Sequence, residues 1–150
     1  MKIFCCALMV SLGCCMAFAQ NPNEKYLTAA DVEKAAGMKG VRLVPRGSVA
    51  GAGGDLNFAD ASGELIVMVQ FTEAKNFDSF QKRYGKVSVS GVGDQAVQGA
   101  GMPGMPDNLL VFTKGAHCVV LTAFADFVKK KVYLNMDQLT ALGKLISSRL

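Results

Sequence analysis

The side chains best suited to metal chemistry lie in the second half of the chain. Met102 and Met105 stand three residues apart in a stretch rich in glycine and proline, residues 99–106, and thioethers are ligands that Cu(I) prefers. His117, the single histidine of the sequence, is the obvious third ligand. A Cu(I) site is therefore one interpretation of this loop. A contact surface for a partner protein and a plain connection are the others.

His117 and Cys118 are adjacent, and an imidazole beside a thiolate is a pair that nucleophilic catalysis and zinc binding both use. Both residues fall in a predicted strand, where consecutive side chains point to opposite faces, so they do not converge on one atom. We expect Cys118 to be buried and His117 to begin the strand. A small secreted hydrolase would need a pocket that brings His117 near an acid such as Asp94 or Asp126.

Two further motifs resemble enzyme motifs but lack the partner residues or the helix that those enzymes need. Ser79 and Lys82 have the Ser-x-x-Lys spacing of penicillin-recognising enzymes, but the Ser-Asp-Asn partner motif is missing. Residues 91–96 read Gly-x-Gly-x-x-Ala, yet no helix follows the glycines as a dinucleotide-binding turn requires. The acidic residues and the histidine show no zinc or calcium spacing. The sequence therefore predicts no catalytic residue and no cofactor.

Residues 1–19 have the composition of a secretory signal peptide. Lys2 gives a positive start, residues 3–16 are apolar, and an Ala-Phe-Ala sequence ending at Ala19 fits the small-x-small rule for cleavage. The apolar stretch is short for a membrane-spanning helix. We therefore expect the signal peptide to be cleaved, and residues 20–150 to form a single exported domain that is periplasmic or secreted.

The cysteines agree with a domain held together by packing. Four of the five lie inside the predicted signal peptide, so the exported domain would keep Cys118 alone and form no internal disulfide. Cys14 follows a partial lipoprotein motif, and lipidation there is the alternative that would attach the domain to a membrane. The formal charge of +4, from 16 basic and 12 acidic residues, indicates an ordinary surface and no nucleic-acid partner.

Helix-ending signals predict three helices. Thr28 and Asp31 form a capping-box pattern, and Gly37 follows at the position where a left-handed residue ends a helix. An aromatic stripe at i, i+3 and i+7 marks a second helix over residues 77–84. A third helix is predicted from Asn135 to the end of the chain, with its leucines and isoleucine on one face.

Two β-hairpins, residues 56–71 and 109–124, precede the last two helices, and their return strands are apolar on both faces. Such strands are covered on both sides, so each should be central in its sheet. Further strands are expected at residues 41–45, where Pro45 marks an edge or an end, and around residues 87–97. The repeated order predicts an α+β fold, in which two hairpin–helix units build one antiparallel sheet with helices packed on it.

Residues 89–96 read Val-Ser-Gly-Val-Gly-Asp-Gln-Ala, the most distinctive short string in the chain. A Val-x-Gly-Val-Gly-Asp-x-Ala turn before a late hairpin, with a signal sequence and a closing amphipathic helix, resembles several uncharacterised families of small exported bacterial proteins and lipoproteins. The resemblance implies an envelope-associated domain with no assigned chemistry. The chain lacks the cysteine pair and clean lipoprotein motif that many of those proteins carry.

Together these observations predict a non-enzymatic binding or accessory domain of the bacterial cell envelope, whose partner is an unknown envelope protein or a small ligand. The expected partner surface combines the turn of Gly91, Gly93 and Asp94 with Met102 and Met105 of the neighbouring loop. In that turn the glycines allow the backbone to bend, and Asp94 accepts a hydrogen bond from a nearby amide.

Overall fold

Seven strands form one antiparallel sheet in the computed structural model, which describes residues 21–101, 106–126 and 131–150. They are β1 (Arg42–Val44), β2 (Leu56–Ala59), β3 (Leu65–Glu73), β4 (Val87–Ser88), β5 (Gln95–Gly99), β6 (Leu109–Lys114) and β7 (His117–Ala123). Their order across the sheet is β1-β2-β3-β7-β6-β5-β4. A separate two-stranded ladder pairs β8 (Ala125–Asp126) with β9 (Lys131–Val132).

Three α-helices pack on this sheet: α1 (Ala29–Ala36), α2 (Phe77–Tyr84) and α3 (Met136–Arg149). Short 3-10 turns precede α1 and α2, at Pro22–Lys25 and Ala74–Asn76. The predicted capping box begins α1, and Gly37 ends it with a φ of 66°. Asn135 begins α3 with a second reciprocal cap. The α+β fold and its three helices are therefore confirmed.

The helices cover different faces of the sheet. In β6, Leu110 and Phe112 share a buried cluster with Val32 of α1 and the apolar stripe of α3. The alternate residues, Leu109 and Val111, belong to a second cluster with Phe77 of α2. Because neighbouring side chains of a strand point to opposite faces, α1 and α3 cover one side and α2 covers the other.

The strands that are apolar on both faces are central, as predicted. β3 pairs with β7 along seven positions, from Val67 opposite Ala123 to Glu73 opposite His117. Each hairpin lies on its own side of this line, with β2 beside β3 and β6 beside β7. The two hairpin–helix units therefore meet at the middle of the sheet.

One expected strand is divided in the structure. Where one strand was predicted around residues 87–97, the chain reverses at residues 89–94, and β4 pairs antiparallel with β5. Gly91 and Gly93 adopt φ values of 75° and 59°, a left-handed conformation that strands do not contain. The predicted end of β1 is correct, since the strand stops at Val44, directly before Pro45. Across the described segments, no helix has the length and apolar character needed to cross a membrane.

Candidate functional site

The turn at residues 89–94 joins β4 to β5 and is fastened to the β6–β7 hairpin. Asp94 N–H donates to the Thr113 carbonyl oxygen at 2.8 Å, and Gly115 N–H donates to the Asp94 carboxylate at 2.8 Å. A Cβ on Gly93 would overlap that same Thr113 oxygen. Val92 is fully buried in the α3-side core. The turn is therefore held from both sides, and Asp94 has the amide-capping role that the sequence predicted.

The carboxylate of Asp94 is stabilised in its charged form. The hydrogen bond from Gly115 N–H, followed by the charge of Lys114 at 3.4 Å, lowers the pKa of Asp94. The contact is thus complete above the ordinary pKa of an aspartate and weakens as the pH falls through the lowered value. Both carboxylate oxygens have partners in this arrangement, and neither partner is His117.

His117 and Cys118 point to opposite faces, as strand alternation requires. Cys118 is fully buried beneath α2, and burial raises the pKa of its thiol to about 11, so it stays protonated at neutral pH. His117 is exposed at the start of β7. Asp126 follows the other end of that strand, about 20 Å away at the usual rise per strand residue. The hydrolase arrangement of His117 with Asp126 is therefore not formed.

The methionines of the predicted copper or partner loop, Met102 and Met105, lie outside the described residues. Gly101 N–H, just before them, donates to the Asn108 side chain at 2.8 Å, which places this flank at the beginning of β6. His117 lies opposite Lys114 at the other end of β6, about 17 Å along the strand. In the described segments, no three His, Cys, Asp or Glu side chains are grouped as a metal site would need.

A groove of about 240 Å³ lies beside the 89–94 turn, between α2 and the edge of the sheet. We call it the edge groove. It is lined by Phe77, Gln81, Ser88, Val89, Gln95, Ala96 and Val97. Another depression, of about 460 Å³, lies around the first helical turn at Asn21 and Pro22, and none of the predicted site residues lines it.

The edge groove has an apolar floor and a polar rim. Phe77 and Val97, each 3% exposed, belong to the same buried cluster and form its floor. Gln81, Ser88 and Gln95 are exposed at its rim. Within the described part of the chain, none of these three side chains makes a hydrogen bond. Apolar surface with a few free polar groups at its margin is typical of binding sites.

Strand β4 forms one side of the groove and is an edge of the sheet. Val89 N–H donates to the Ala96 carbonyl oxygen at 2.9 Å, toward β5. Backbone groups of successive strand residues point in opposite directions, so the N–H and C=O of Ser88 point away from the sheet. Val87 is 53% exposed, and among the described residues it is the one large apolar side chain on the surface.

Comparison of this chain with protein-family models, with curated proteins and with solved structures finds no match. The candidate site therefore rests on geometry alone. That geometry brings the turn of Gly91, Gly93 and Asp94 next to the edge groove, within one hairpin.

The lining of the edge groove was not predicted from the sequence. Its residues come from α2 and from the β4–β5 hairpin, and their approach depends on which strands α2 covers. The available signal was the alternation of Val87, Ser88, Val89 and Ser90, which is typical of a strand with one face toward solvent.

Proposed function

We propose that this protein is an exported, non-enzymatic binding module of the bacterial cell envelope, and that it contacts a partner protein through the β4 edge and the edge groove. The observation that carries the proposal is the edge groove itself, an apolar depression beside an exposed Val87 and an outward-pointing Ser88 backbone. Edge strands offer unpaired backbone groups to a partner, and adjacent pockets give such contacts their specificity.

The 89–94 turn beside this surface is held rigidly, which suits a binding role. The 89–94 turn is fastened to the β6–β7 hairpin through Asp94 and rests on the α3-side core through Val92. A binding surface on a rigid support loses little entropy when the partner arrives. Gly91, Gly93 and Asp94 thus act as positioning residues for the β4 edge. The role of Met102 and Met105 in partner binding stays a prediction from the sequence.

The export part of the proposal depends on residues 1–19. Intact-mass measurement of the protein recovered from producing bacteria should give a chain that begins at Gln20. A lipid-modified chain beginning at Cys14 would place the module on a membrane instead. A chain that begins at Met1 in the cytoplasm would contradict the export proposal.

A site-specific crosslinker tests the binding part. p-Benzoyl-phenylalanine is introduced at Val87 in the full-length sequence, in the organism that encodes the protein, and the cells are irradiated. The matched control carries the same residue at Ala61, which is exposed in the turn between β2 and β3, away from the β4 edge of the sheet. We expect a discrete adduct from position 87, with one recurring protein identified in it by mass spectrometry. Equal adducts from both positions, or none, would contradict this function.

A further inference from the structure

We propose that the edge groove binds an extended, acidic polypeptide segment, which adds to β4 as an eighth strand of the sheet. This inference rests on the proposed function and names the class of partner. Three features of the described residues carry it: the backbone at the edge, the side chains of the groove, and the charges beside them.

The backbone supplies the first feature. Ser88 presents an N–H donor and a C=O acceptor to the side of β4 that has no neighbouring strand among the described residues. An extended chain can satisfy both at once, which a helix or a compact ligand cannot do with the same geometry. Neither residue of β4 is a proline, so no backbone N–H is missing from the edge. Val89, the next residue, continues the alternation of apolar and polar side chains.

The groove supplies the second feature. Alternate side chains of an added strand would point to the α2 side of the sheet, where the edge groove lies. One such side chain would contact the apolar floor of Phe77 and Val97. The peptide's polar groups would form hydrogen bonds with the side chains of Gln81, Ser88 and Gln95 at the rim, which make none within the described residues. The groove therefore favours an apolar anchor flanked by polar residues.

Charge supplies the third feature and selects the partner. On the α2 side, Lys82 follows the groove residue Gln81 in the sequence. On the opposite, α3 side of the same edge, the Lys144 side chain lies within 4 Å of the position that a Cβ on Gly91 would occupy. Neither lysine makes an ion pair within the described residues. Asp78 is an acidic residue on α2 that makes no ion pair within the described part of the chain, while Asp107 is paired with Lys86 at 3.4 Å.

The surplus of free positive charge favours acidic side chains in the incoming strand. It also disfavours a second copy of this chain on the same edge, because two copies would bring the same lysines together. An added strand has one face toward the groove and the other toward the α3 side, where Lys144 lies, so acidic residues can alternate with the apolar anchor.

The test begins with a phage-displayed library of random eight-residue peptides, panned against the protein purified after export from cells that express the full sequence. The enriched peptide is labelled with fluorescein, and its Kd is measured by polarisation. We expect acidic peptides with alternating apolar residues. No enrichment, or enrichment of basic or uncharged peptides, would overturn the inference.

Matched variants then test the strand geometry. Ser88→Pro removes the outward N–H at a position where proline suits an edge, and Ser88→Ala removes only the hydroxyl. We expect Kd to rise about tenfold for Ser88→Pro and less than about threefold for Ser88→Ala. Urea unfolding checks that both variants fold. A peptide N-methylated at alternate residues gives the same test on the unmodified protein, and unchanged binding of that peptide would overturn the inference.

A pair of double variants tests the charge argument. Lys82→Glu with Lys144→Glu should weaken the acidic peptide at least about tenfold, and this effect should shrink in high salt. The control, Lys34→Glu with Lys39→Glu, makes the same change in net charge at exposed positions on and after α1. Equal losses of peptide affinity in both double variants would show that Lys82 and Lys144 do not recognise the peptide locally. If position 87 crosslinks to a partner but these peptide tests fail, the binding function stands and the extended acidic strand does not.

Discussion

The two edge strands, β1 and β4, end the same sheet but differ in what surrounds them. Beside β1, the Glu33 carboxylate of α1 accepts hydrogen bonds from the N–H groups of Gly40, at 2.5 Å, and Val41, at 3.0 Å. Arg42 puts an exposed charge on that edge, and Pro45 follows its last residue. An exposed charge and a flanking proline are devices by which proteins protect an edge from further pairing.

The β4 edge has a different character. Its exposed side chain is the apolar Val87, its Ser88 backbone points outward, and a groove runs along its inner side. Lys86 stands just before the strand, but its ammonium group is directed to Asp107. The two edges therefore differ in character: β1 carries an exposed charge and is followed by a proline, whereas β4 carries an exposed apolar side chain.

The largest expected effect on stability comes from disrupting the 89–94 turn that supports the β4 edge. Gly93→Ala places a Cβ against the Thr113 carbonyl oxygen in a left-handed conformation, and we expect it to lower the free energy of unfolding by about 3 kcal/mol. Gly91→Ala is the control, since its Cβ would meet only the flexible Lys144 side chain at 3.7 Å; about 1 kcal/mol is expected. Urea denaturation measures both, and equal losses would show that the turn is not fastened as described.

The segment that leads into β1 should lose stability when its contact with Glu33 is removed. Glu33→Ala leaves the Gly40 and Val41 N–H groups without their shared acceptor, and a loss of about 1–2 kcal/mol is expected. Glu33→Gln keeps an uncharged acceptor oxygen and should lose less than half of that. The measurement is again the free energy of unfolding. Identical values for the two variants would mean that the side-chain oxygen does not hold the segment before β1.

The side of the molecule that carries α1 also contains a pH-sensitive contact. Arg149 makes two hydrogen bonds to the Asp31 carboxylate, at 2.6 and 3.1 Å, and these lower the pKa of Asp31 from 3.8 to about 2. The contact stabilises the fold above pH 4, and this stabilisation is lost as the pH falls toward 2.

We expect Arg149→Gln to cost about 0.5–1 kcal/mol at pH 6, because the pair is partly exposed. The difference from the unmodified protein should shrink between pH 4 and pH 2. Thermal unfolding across that range measures it. A difference that is constant with pH would contradict the assignment to this carboxylate.

The smallest effect on stability, below about 0.5 kcal/mol, is expected for Arg42→Val, which removes the exposed charge from β1. This variant should instead self-associate weakly as its concentration rises, because an apolar edge invites pairing. Arg42→Lys keeps the charge and should remain as monomeric as the unmodified protein. Sedimentation velocity at several concentrations compares them. Identical sedimentation of both variants would mean that Arg42 does not protect the edge.

Much of this fold could be predicted because its signals are local. The cap of Thr28 and Asp31 uses side chains three residues apart, and the central position of β3 and β7 follows from apolar residues on both of their faces. The division of the predicted 87–97 strand could have been inferred from its two glycines. Both glycines adopt a positive φ, and a glycine inside a strand weakens it.

The edge groove could not be predicted in the same way. Phe77 is separated in sequence from Gln95 and Val97, and their approach depends on α2 lying over β5 and β6 rather than over β2 and β3. Hydrophobic periodicity shows that a helix has one buried face, but it does not identify the strands which that face covers. Likewise, whether a strand is an edge depends on the order of all seven strands.

Amide hydrogen exchange tests the central claim most directly. It is measured by NMR, residue by residue, on the exported protein with and without the peptide selected by display. The account predicts that the Ser88 amide exchanges freely in the unbound protein and becomes at least about tenfold slower with peptide, while the β1 amides do not change. Slowing at β1, or an unchanged Ser88 amide in the saturated complex, would contradict it.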